Sequence, residues 1–198
     1  DEEDWQKAPI LTNFIQRRPT PGDPSQRKTE VRMLYNDEAI YIAARLYEKK
    51  EEIFNILTNR DNTGNSDYFG VSIDPFKAGL NGVGLFVTVA GVQYDAQYSN
   101  GGNEFVWRND RDWNAVWLSE TKIFEDHWTV EYKIPYAVLR FNSDSVQEWG
   151  INFLRKSNSI NEDSFWNPID PQIDGYLNQA GTVKDLENID APTRLFFY

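Results

Sequence analysis

The sequence predicts an all-β fold, a single antiparallel β-sandwich with a jelly-roll-like arrangement. Two observations support this prediction. Apolar and polar residues alternate with the two-residue period of a strand in one segment after another, and turn-forming residues separate these segments. The charged stretch 48–54 has the composition of a short helical connection. With 198 residues, the chain is long enough for one such domain with a sizeable core.

The strands follow one another with short turns between most of them. The turn at 36–39 predicts a hairpin, Ala90-Gly91 joins two later strands, and residues 99–112 form a long loop. We expect residues 158–188 to be mostly polar loop and residues 194–198 to form a last strand. The predicted strands, in chain order, are residues 31–35, 41–47, 68–74, 83–89, 92–98, 113–124, 128–134 and 149–155.

The clearest strand begins at Trp128, where Trp128, Val130, Tyr132 and Ile134 fall on one side of an extended chain and polar residues on the other. Pro135 then ends the strand, because proline cannot donate a hydrogen bond to a strand ladder. The residues that follow have the composition of a short helical turn. This stretch therefore predicts a half-buried strand that ends in a compact corner.

The composition limits the possible functions. The chain has 20 basic and 31 acidic residues, and its formal charge of -11 repels phosphate backbones, which argues against a nucleic-acid partner. It has no cysteine, so a disulfide framework and a thiolate metal site are both excluded. Aromatic residues make up 15% of the chain, more than a core of this size needs. Some of these rings are therefore expected to face solvent or a ligand.

Residues 128–139 combine a tryptophan-led strand that carries a glutamate with an Ile-Pro-aromatic corner and a leucine. This order resembles a segment of the family nine carbohydrate-binding modules. Residues 1–5, the first hairpin and residues 67–74 are similar to other segments of that family. One subgroup consists of large outer-membrane proteins, frequent in Bacteroidetes, in which such a sandwich precedes a C-terminal β-barrel of unassigned function. The segments that resemble this subgroup are 60–61, 91–95, 112–117, 139–141, 149–155 and 162–166.

The resemblance implies a non-catalytic module that binds an oligosaccharide or polysaccharide. It also implies an extracytoplasmic location, in the periplasm or at the cell surface, tied to the outer membrane by a barrel beyond Tyr198. The domain itself would make no membrane contact. We expect residues 1–198 to be a single domain excised from a longer protein.

An alternative function follows from departures from the family pattern. Asn65-Ser66 stand where known binders of the family carry one of two clamping tryptophans. Gly70 replaces a glutamate within the next strand, and Thr88 replaces an asparagine. These departures count against reducing-end recognition of the family type. A structural or protein-interaction module of an outer-membrane protein, which kept the fold and lost sugar binding, is therefore the second hypothesis.

Sugar recognition needs aromatic faces for stacking together with polar side chains that hydrogen-bond hydroxyl groups. Trp107 lies in a polar loop beside Arg108 and Asn109, and Trp166 lies in another polar loop after Glu162. These five residues are the candidate carbohydrate-binding residues. The alternative for both tryptophans is that a single ring anchors its loop to the sandwich.

Other residues of these segments are predicted to be structural. Trp113, Ala115 and Trp117 share one face at period two, which favours packing over ligand contact. Arg155 ends an otherwise apolar stripe and therefore needs either a carboxylate partner or a position at the rim. A structural ion pair is the favoured interpretation, with Glu162 as the candidate partner.

Calcium is a possible cofactor, because sandwich-type binding modules often hold this ion through oxygen ligands. Asp61 and Asp67 are the candidate ligands, with Asn62 and Asn65 between them, although the spacing is not that of an EF-hand. Turn capping by these side chains is the alternative.

Catalytic and redox functions have little support in the sequence. The one histidine, His127, lies in a turn before a strand, and no spacing singles out a pair of carboxylates for glycoside hydrolysis. We therefore predict that the chain is not an enzyme. A b-type haem held by Met33 and His127 is a remote alternative, since Met33 alternates with core residues of the first hairpin.

Overall fold

The computed structural model describes residues 2–101 and 113–191, and over these ranges it confirms an antiparallel β-sandwich. A short helix, α1 (Glu2–Lys7), and three single-turn 3₁₀ helices at Lys50–Glu52, Tyr136–Val138 and Leu177–Gln179 accompany the strands. The described strands are β1 (Ile15–Arg18), β2 (Thr29–Tyr35), β3 (Ala39–Tyr47), β4 (Tyr68–Asp74), β5 (Gly82–Thr88), β6 (Gln93–Tyr98), β7 (Leu118–Ile123), β8 (His127–Pro135), β9 (Val146–Ser157), β10 (Glu162–Phe165) and β11 (Gly181–Glu187).

Two sheets form the sandwich. The larger has the order β1-β10-β9-β4-β5-β6, and the smaller has the order β2-β3-β8-β7. The 12-residue strand β9 is long enough to pair with two strands along the same edge, β11 through its first half and β10 through its second. All of these pairs are antiparallel, as the succession of short turns predicts.

The core lies between the two sheets and is built from alternate residues of each strand. Trp128 on β8 and Trp149 on β9 are completely buried there. Tyr132 connects the two sheets, because its ring lies on β8 and its hydroxyl donates a 2.8 Å hydrogen bond to the carbonyl of Phe69 on β4. The predicted alternation of the strand that begins at Trp128 is thus confirmed.

The outer face of the larger sheet is also buried. Tyr68, Phe86 and Tyr94 cluster there with Tyr176 from the segment after β10. Gly70 lies beneath the Phe86 ring, and a Cβ added at Gly70 would lie 2.1 Å from Phe86 Cδ1. This close approach permits only glycine at the position where the family pattern has a glutamate.

Several predicted elements need correction. The stretch 158–188, predicted to be mostly loop, contains β10 and β11. The sequence hides β10 because its buried residues are mostly polar, and it hides β11 because the register shifts between Val183 and Leu186. Strand β7 begins at Leu118, so residues 113–117 are outside its ladder.

The sequence patterns do not predict helix α1 or strand β1. The predicted strand 194–198 lies outside the described residues. No helix within 2–101 or 113–191 has the length and apolar character needed to cross a bilayer.

Candidate functional site

A groove of about 730 Å³ opens at the end of the sandwich where β4 leads into β5. It is bounded by the β4–β5 turn, the end of β6 at Gln97, the extended segment 113–117 and the corner after β8. The lining residues are Pro75, Phe76, Asn81, Gly82, Val83, Gln97, Trp113, Asn114, Ala115, Val116, Ala137, Val138 and Arg140.

The β4–β5 turn places Phe76 at the groove. Asp74, the buried last residue of β4, accepts hydrogen bonds from the backbone N–H of Phe76 at 3.1 Å and of Gly79 at 2.6 Å. Gly79 has a φ of 69°, the left-handed conformation that glycine adopts without strain. This capped turn leaves the Phe76 ring 53% exposed at the groove.

The segment 113–117 is held against β6 by side chains rather than by a backbone ladder. The buried carboxylate of Asp95 accepts a 2.6 Å hydrogen bond from the N–H of Ala115 and pairs with Arg60. Arg60 in turn donates to the carbonyl of Ala115 at 3.3 Å. Burial raises the pKa of Asp95, and the Ala115 N–H and the Arg60 charge oppose this effect.

The same segment is anchored in the core at its far end. The Trp117 ring stacks on Tyr132 with 5.3 Å between the ring centroids and 7° between the planes. Trp113 lies on the same side and is half-buried, whereas Asn114 and Val116 point outward, with Val116 85% exposed. The prediction that the two tryptophans share a packed face is confirmed, and Trp113 also lines the groove.

The corner that follows β8 places Arg140 at the groove. Leu139 and Phe141 on either side of it are buried, and Phe141 packs on Trp149 with 5.0 Å between ring centroids. Arg140 lies between these two anchors and is therefore turned out of the core and exposed. In the part of the chain that the structure describes, no carboxylate pairs with its guanidinium.

The groove thus combines apolar rings with hydrogen-bonding groups. Trp113 and Phe76 offer ring surfaces, and Asn81, Gln97 and Asn114 offer amide groups. Among the described lining residues Arg140 is the only charged side chain. Such a surface can stack on the C–H-rich face of a sugar and hydrogen-bond its hydroxyl groups.

The predicted carbohydrate-binding residues are not brought together in the described ranges. Trp107, Arg108 and Asn109 lie outside the residues that the structure describes. Trp166 is half-buried, its ring is 5.9 Å from that of Phe153, and it lines a different, apolar groove of about 170 Å³. This geometry matches the anchoring alternative for Trp166.

Glu162, the fifth candidate, is enclosed by the protein. Its side chain is buried and accepts hydrogen bonds from the hydroxyl of Ser25 and from the backbone N–H of Gln26, the latter at 3.1 Å. Neither carboxylate oxygen is thus free to meet a sugar hydroxyl. Its predicted ion pair with Arg155 is wrong as well.

Arg155 has a different carboxylate partner. Its Nη2 lies 2.9 Å from Glu48 Oε2 and also donates to the carbonyl of Tyr47 at 2.9 Å. Burial lowers the pKa of the guanidinium, and the charge of Glu48 opposes this effect. Glu48 directly follows β3 on the opposite sheet, so the pair crosses the sandwich. A buried ion pair was predicted correctly, but sequence proximity could not identify a partner on the other sheet.

The two predicted calcium ligands have separate surroundings. Asp67 is fully buried and accepts hydrogen bonds from the N–H of Phe54 at 3.0 Å and from the N–H and side-chain amide of Asn158 at 2.7 and 3.1 Å. Asp61 lies instead beside Arg60 and Asp95. Within the described ranges no three His, Cys, Asp or Glu side chains form a metal-binding group. These two residues therefore do not fit a shared ion, and calcium binding by the domain stays a prediction.

The two predicted haem ligands lie on opposite faces of the smaller sheet. Met33 pairs with Ile42, whose side chain is buried in the core, whereas His127 pairs with Tyr47 on the outer face. His127 stacks on Phe124 with 4.5 Å between ring centroids. One iron cannot reach both side chains, so the haem alternative is wrong.

Comparison with known proteins finds similarity in structure but none in sequence. No family model and no curated protein matches the chain. A family nine carbohydrate-binding module from Caldicellulosiruptor kristjanssonii in complex with glucose superposes with a TM-score of 0.63 at 13% identity, over 98% of this chain and 90% of that one. The same kind of module from that organism in complex with cellotriose gives 0.60 at 14% identity, over 96% and 87%.

A third solved structure comes from Bacteroides uniformis and is provisionally described as a carbohydrate-binding protein. It gives a TM-score of 0.71 at 12% identity, over 91% of this chain and 88% of that one. At these identities the comparisons establish the fold, which is that of the family nine carbohydrate-binding modules.

Proposed function

We propose that this domain is a non-catalytic carbohydrate-binding module whose ligand lies in the groove beside Trp113. The observation that supports this proposal is the composition of the groove. Trp113 and Phe76 present partly exposed rings beside three amide side chains and one guanidinium. Aromatic stacking with several hydrogen bonds is the usual means of binding a pyranose.

The fold adds support, because two modules of the same fold were solved in complex with glucose and with cellotriose. The family pattern has its glutamate and asparagine on the outer face of the larger sheet. In this chain the corresponding positions provide fewer groups for binding a ligand. Gly70 is covered by the Phe86 ring, and the fully buried Thr88 accepts a hydrogen bond from the N–H of Val92. The groove is therefore the better candidate for the ligand site.

The proposal that the domain is not an enzyme rests on the same groove. Glycoside hydrolysis requires two carboxyl groups on either side of the scissile bond. No Asp or Glu is among the described lining residues. The groove can therefore bind a glycan but has no described acid and base for its hydrolysis.

We further propose that the module works outside the cytoplasm, in the periplasm or at the cell surface, as one domain of a longer outer-membrane protein. The support is the resemblance of several segments to that subgroup, including residues 149–155.

A glycan array probed with the purified domain tests the proposal. We expect at least one class of oligosaccharide to be retained, and we expect Trp113→Ala and Phe76→Ala to lose it. Trp166→Ala is the matched control, because Trp166 is a half-buried ring outside the groove, and it should keep binding. If no glycan is retained by the wild-type domain, the structural or protein-interaction hypothesis takes its place. If Trp166→Ala alone abolishes binding, the groove is the wrong site.

A further inference from the structure

We infer that the groove selects acidic glycans, and that Arg140 binds the carboxylate of a uronic acid residue. This inference rests on the proposed carbohydrate-binding function and specifies its ligand class. It depends on the charge of the groove, on the surroundings of Arg140 and on the way in which the fold holds this side chain.

The groove is unlike the rest of the molecule in charge. The whole chain carries 31 acidic and 20 basic residues. Among the described residues that line the groove there is no carboxylate, and Arg140 contributes the only charge. A ligand carboxylate entering the groove would therefore meet a cation at close range, and none of the described lining residues carries a negative charge that would repel it.

Arg140 also differs from the arginines that form ion pairs within the sandwich. Arg18, Arg60 and Arg155 pair with carboxylates of Asp163, Asp95 and Glu48 respectively. Arg140 has no such partner in the described part of the chain. Its N–H groups can thus donate two parallel hydrogen bonds to a ligand carboxylate without first breaking an ion pair with any described residue.

The position of Arg140 suits a uronic acid rather than a free anion. Its neighbours Leu139 and Phe141 are packed in the core, which fixes the backbone at this point. The Trp113 ring lines the same groove. A uronic acid carries its carboxylate directly on the pyranose ring, so stacking on the indole and pairing with the guanidinium can occur within one or two sugar units.

Other ligand chemistries fit less well. A neutral glycan would make no use of the charge of Arg140. A polyphosphate such as a nucleic acid would need several cations, whereas the described lining has one and the chain as a whole is strongly acidic.

Isothermal titration calorimetry with matched ligands tests the inference. The acidic probes are tetragalacturonate and a mannuronate tetrasaccharide, each compared with its methyl ester, and cellotetraose is the neutral probe. Esterification removes the charge and keeps the sugar. We expect at least one acid to bind about tenfold or more tightly than its ester, as a charge-assisted hydrogen bond that replaces a neutral one would give.

Two variants identify the group responsible. Arg140→Gln should reduce the affinity for the acid by about tenfold to a hundredfold and leave that for the ester nearly unchanged. Arg140→Lys keeps the charge but loses the paired hydrogen-bond geometry. Its affinity for the acid should therefore lie between those of the wild type and Arg140→Gln. Raising the salt concentration from about 0.01 M to about 1 M shortens the Debye length from roughly 30 Å to 3 Å, and it should weaken binding of the acid only.

The outcomes separate the inference from the function on which it rests. Equal affinity for acids and esters, or no binding of either acid, overturns the selectivity for acidic glycans. Binding of cellotetraose or of an array glycan in that case leaves the carbohydrate-binding function intact. An Arg140→Gln variant that keeps full preference for the acid contradicts the role of this residue.

Discussion

Two arginines near opposite ends of the sandwich have opposite surroundings. Arg155 lies in the row of Phe69 at the start of β4, and the groove that Arg140 lines begins in the row of Ile73 near its end. About 13 Å of strand separates these rows, at roughly 3.3 Å per residue. Arg155 is 1% exposed and paired with Glu48, whereas Arg140 is exposed and has no described carboxylate partner.

The difference in burial and pairing indicates a different role for each arginine. Both arginines follow apolar sequence, at Phe153-Leu154 and at Val138-Leu139. Removing the guanidinium of Arg155 from water requires the internal hydrogen bonds and the ion pair that the sandwich supplies, so its role is structural. Arg140 remains in water at the rim of a groove, so its role is open to a ligand.

The largest expected effect is the loss of stability when the buried ion pair of Glu48 and Arg155 is broken. Glu48→Gln keeps the volume of the side chain and removes its charge, which leaves the buried Arg155 guanidinium without its paired carboxylate. We expect the free energy of unfolding to fall by about 3 to 5 kcal/mol, measured by urea denaturation. A Glu48→Leu, Arg155→Met double variant should lose less, because it removes both charges. A loss below about 1 kcal/mol in Glu48→Gln would contradict the account of this pair.

A second prediction compares two tryptophans. Trp149 is completely buried between the sheets, and Trp149→Ala should cost about 3 to 5 kcal/mol because it leaves a cavity. Trp128→Ala should behave in the same way. Trp113 is half-buried at the groove, so Trp113→Ala should cost clearly less and should act on glycan binding instead. Equal losses of stability at Trp113 and Trp149 would show that Trp113 is core and not binding surface.

The third prediction concerns pH. Burial raises the pKa of Asp67 above its ordinary value of 3.8. The folded state then holds a proton that the unfolded state has released, so the contribution of Asp67 to stability falls as pH rises between the two pKa values. The difference in unfolding free energy between the wild type and Asp67→Asn should therefore decrease as pH rises above 3.8, and then level off.

Asp126 provides the control for this pH series. The hydrogen bond to His127 lowers the pKa of Asp126, so its contribution is lost as pH falls through the folded-state pKa. The corresponding difference for Asp126→Asn should thus change in the opposite direction. If the two free-energy differences change in the same direction as pH rises, the assignment of the two environments is contradicted.

The smallest expected effect on stability is at the groove. Arg140 is exposed and unpaired in the described structure, so Arg140→Gln should change the free energy of unfolding by less than about 0.5 kcal/mol. Thermal and urea unfolding check this value. A loss comparable to that of Glu48→Gln would mean that Arg140 is structural, and the contrast between the two arginines would fail.

Much of the fold follows from local sequence. The hairpin of β2 and β3, strand β4 and the strand that ends at Pro135 are predicted by two-residue alternation and by turn residues. The sequence does not predict strand β10. Its residues Glu162-Asp163-Ser164 are buried through hydrogen bonds and ion pairs, and alternation of apolar residues does not reveal this kind of burial.

The candidate site is less accessible to sequence reasoning. Phe76, Gln97 and Arg140 are far apart in the chain and meet only because three strands end at one side of the sandwich. One sequence signal does point to Arg140, because it lies just after the Ile-Pro-aromatic corner that gives the chain its clearest resemblance. A single charged residue after a leucine belongs to no periodic pattern, so the sequence alone does not mark it as a ligand contact.

The most direct test of the central claim is a backbone amide NMR titration of the labelled domain with tetragalacturonate. The account predicts chemical-shift changes confined to the groove, at Phe76, Gln97, Ala115, Val116 and Arg140, and their loss in Arg140→Gln. Residues around the buried pair of Glu48 and Arg155 should not shift. Changes centred on Trp166 or on the buried pair, or no changes at saturating ligand, would contradict the assignment of the groove as the recognition site.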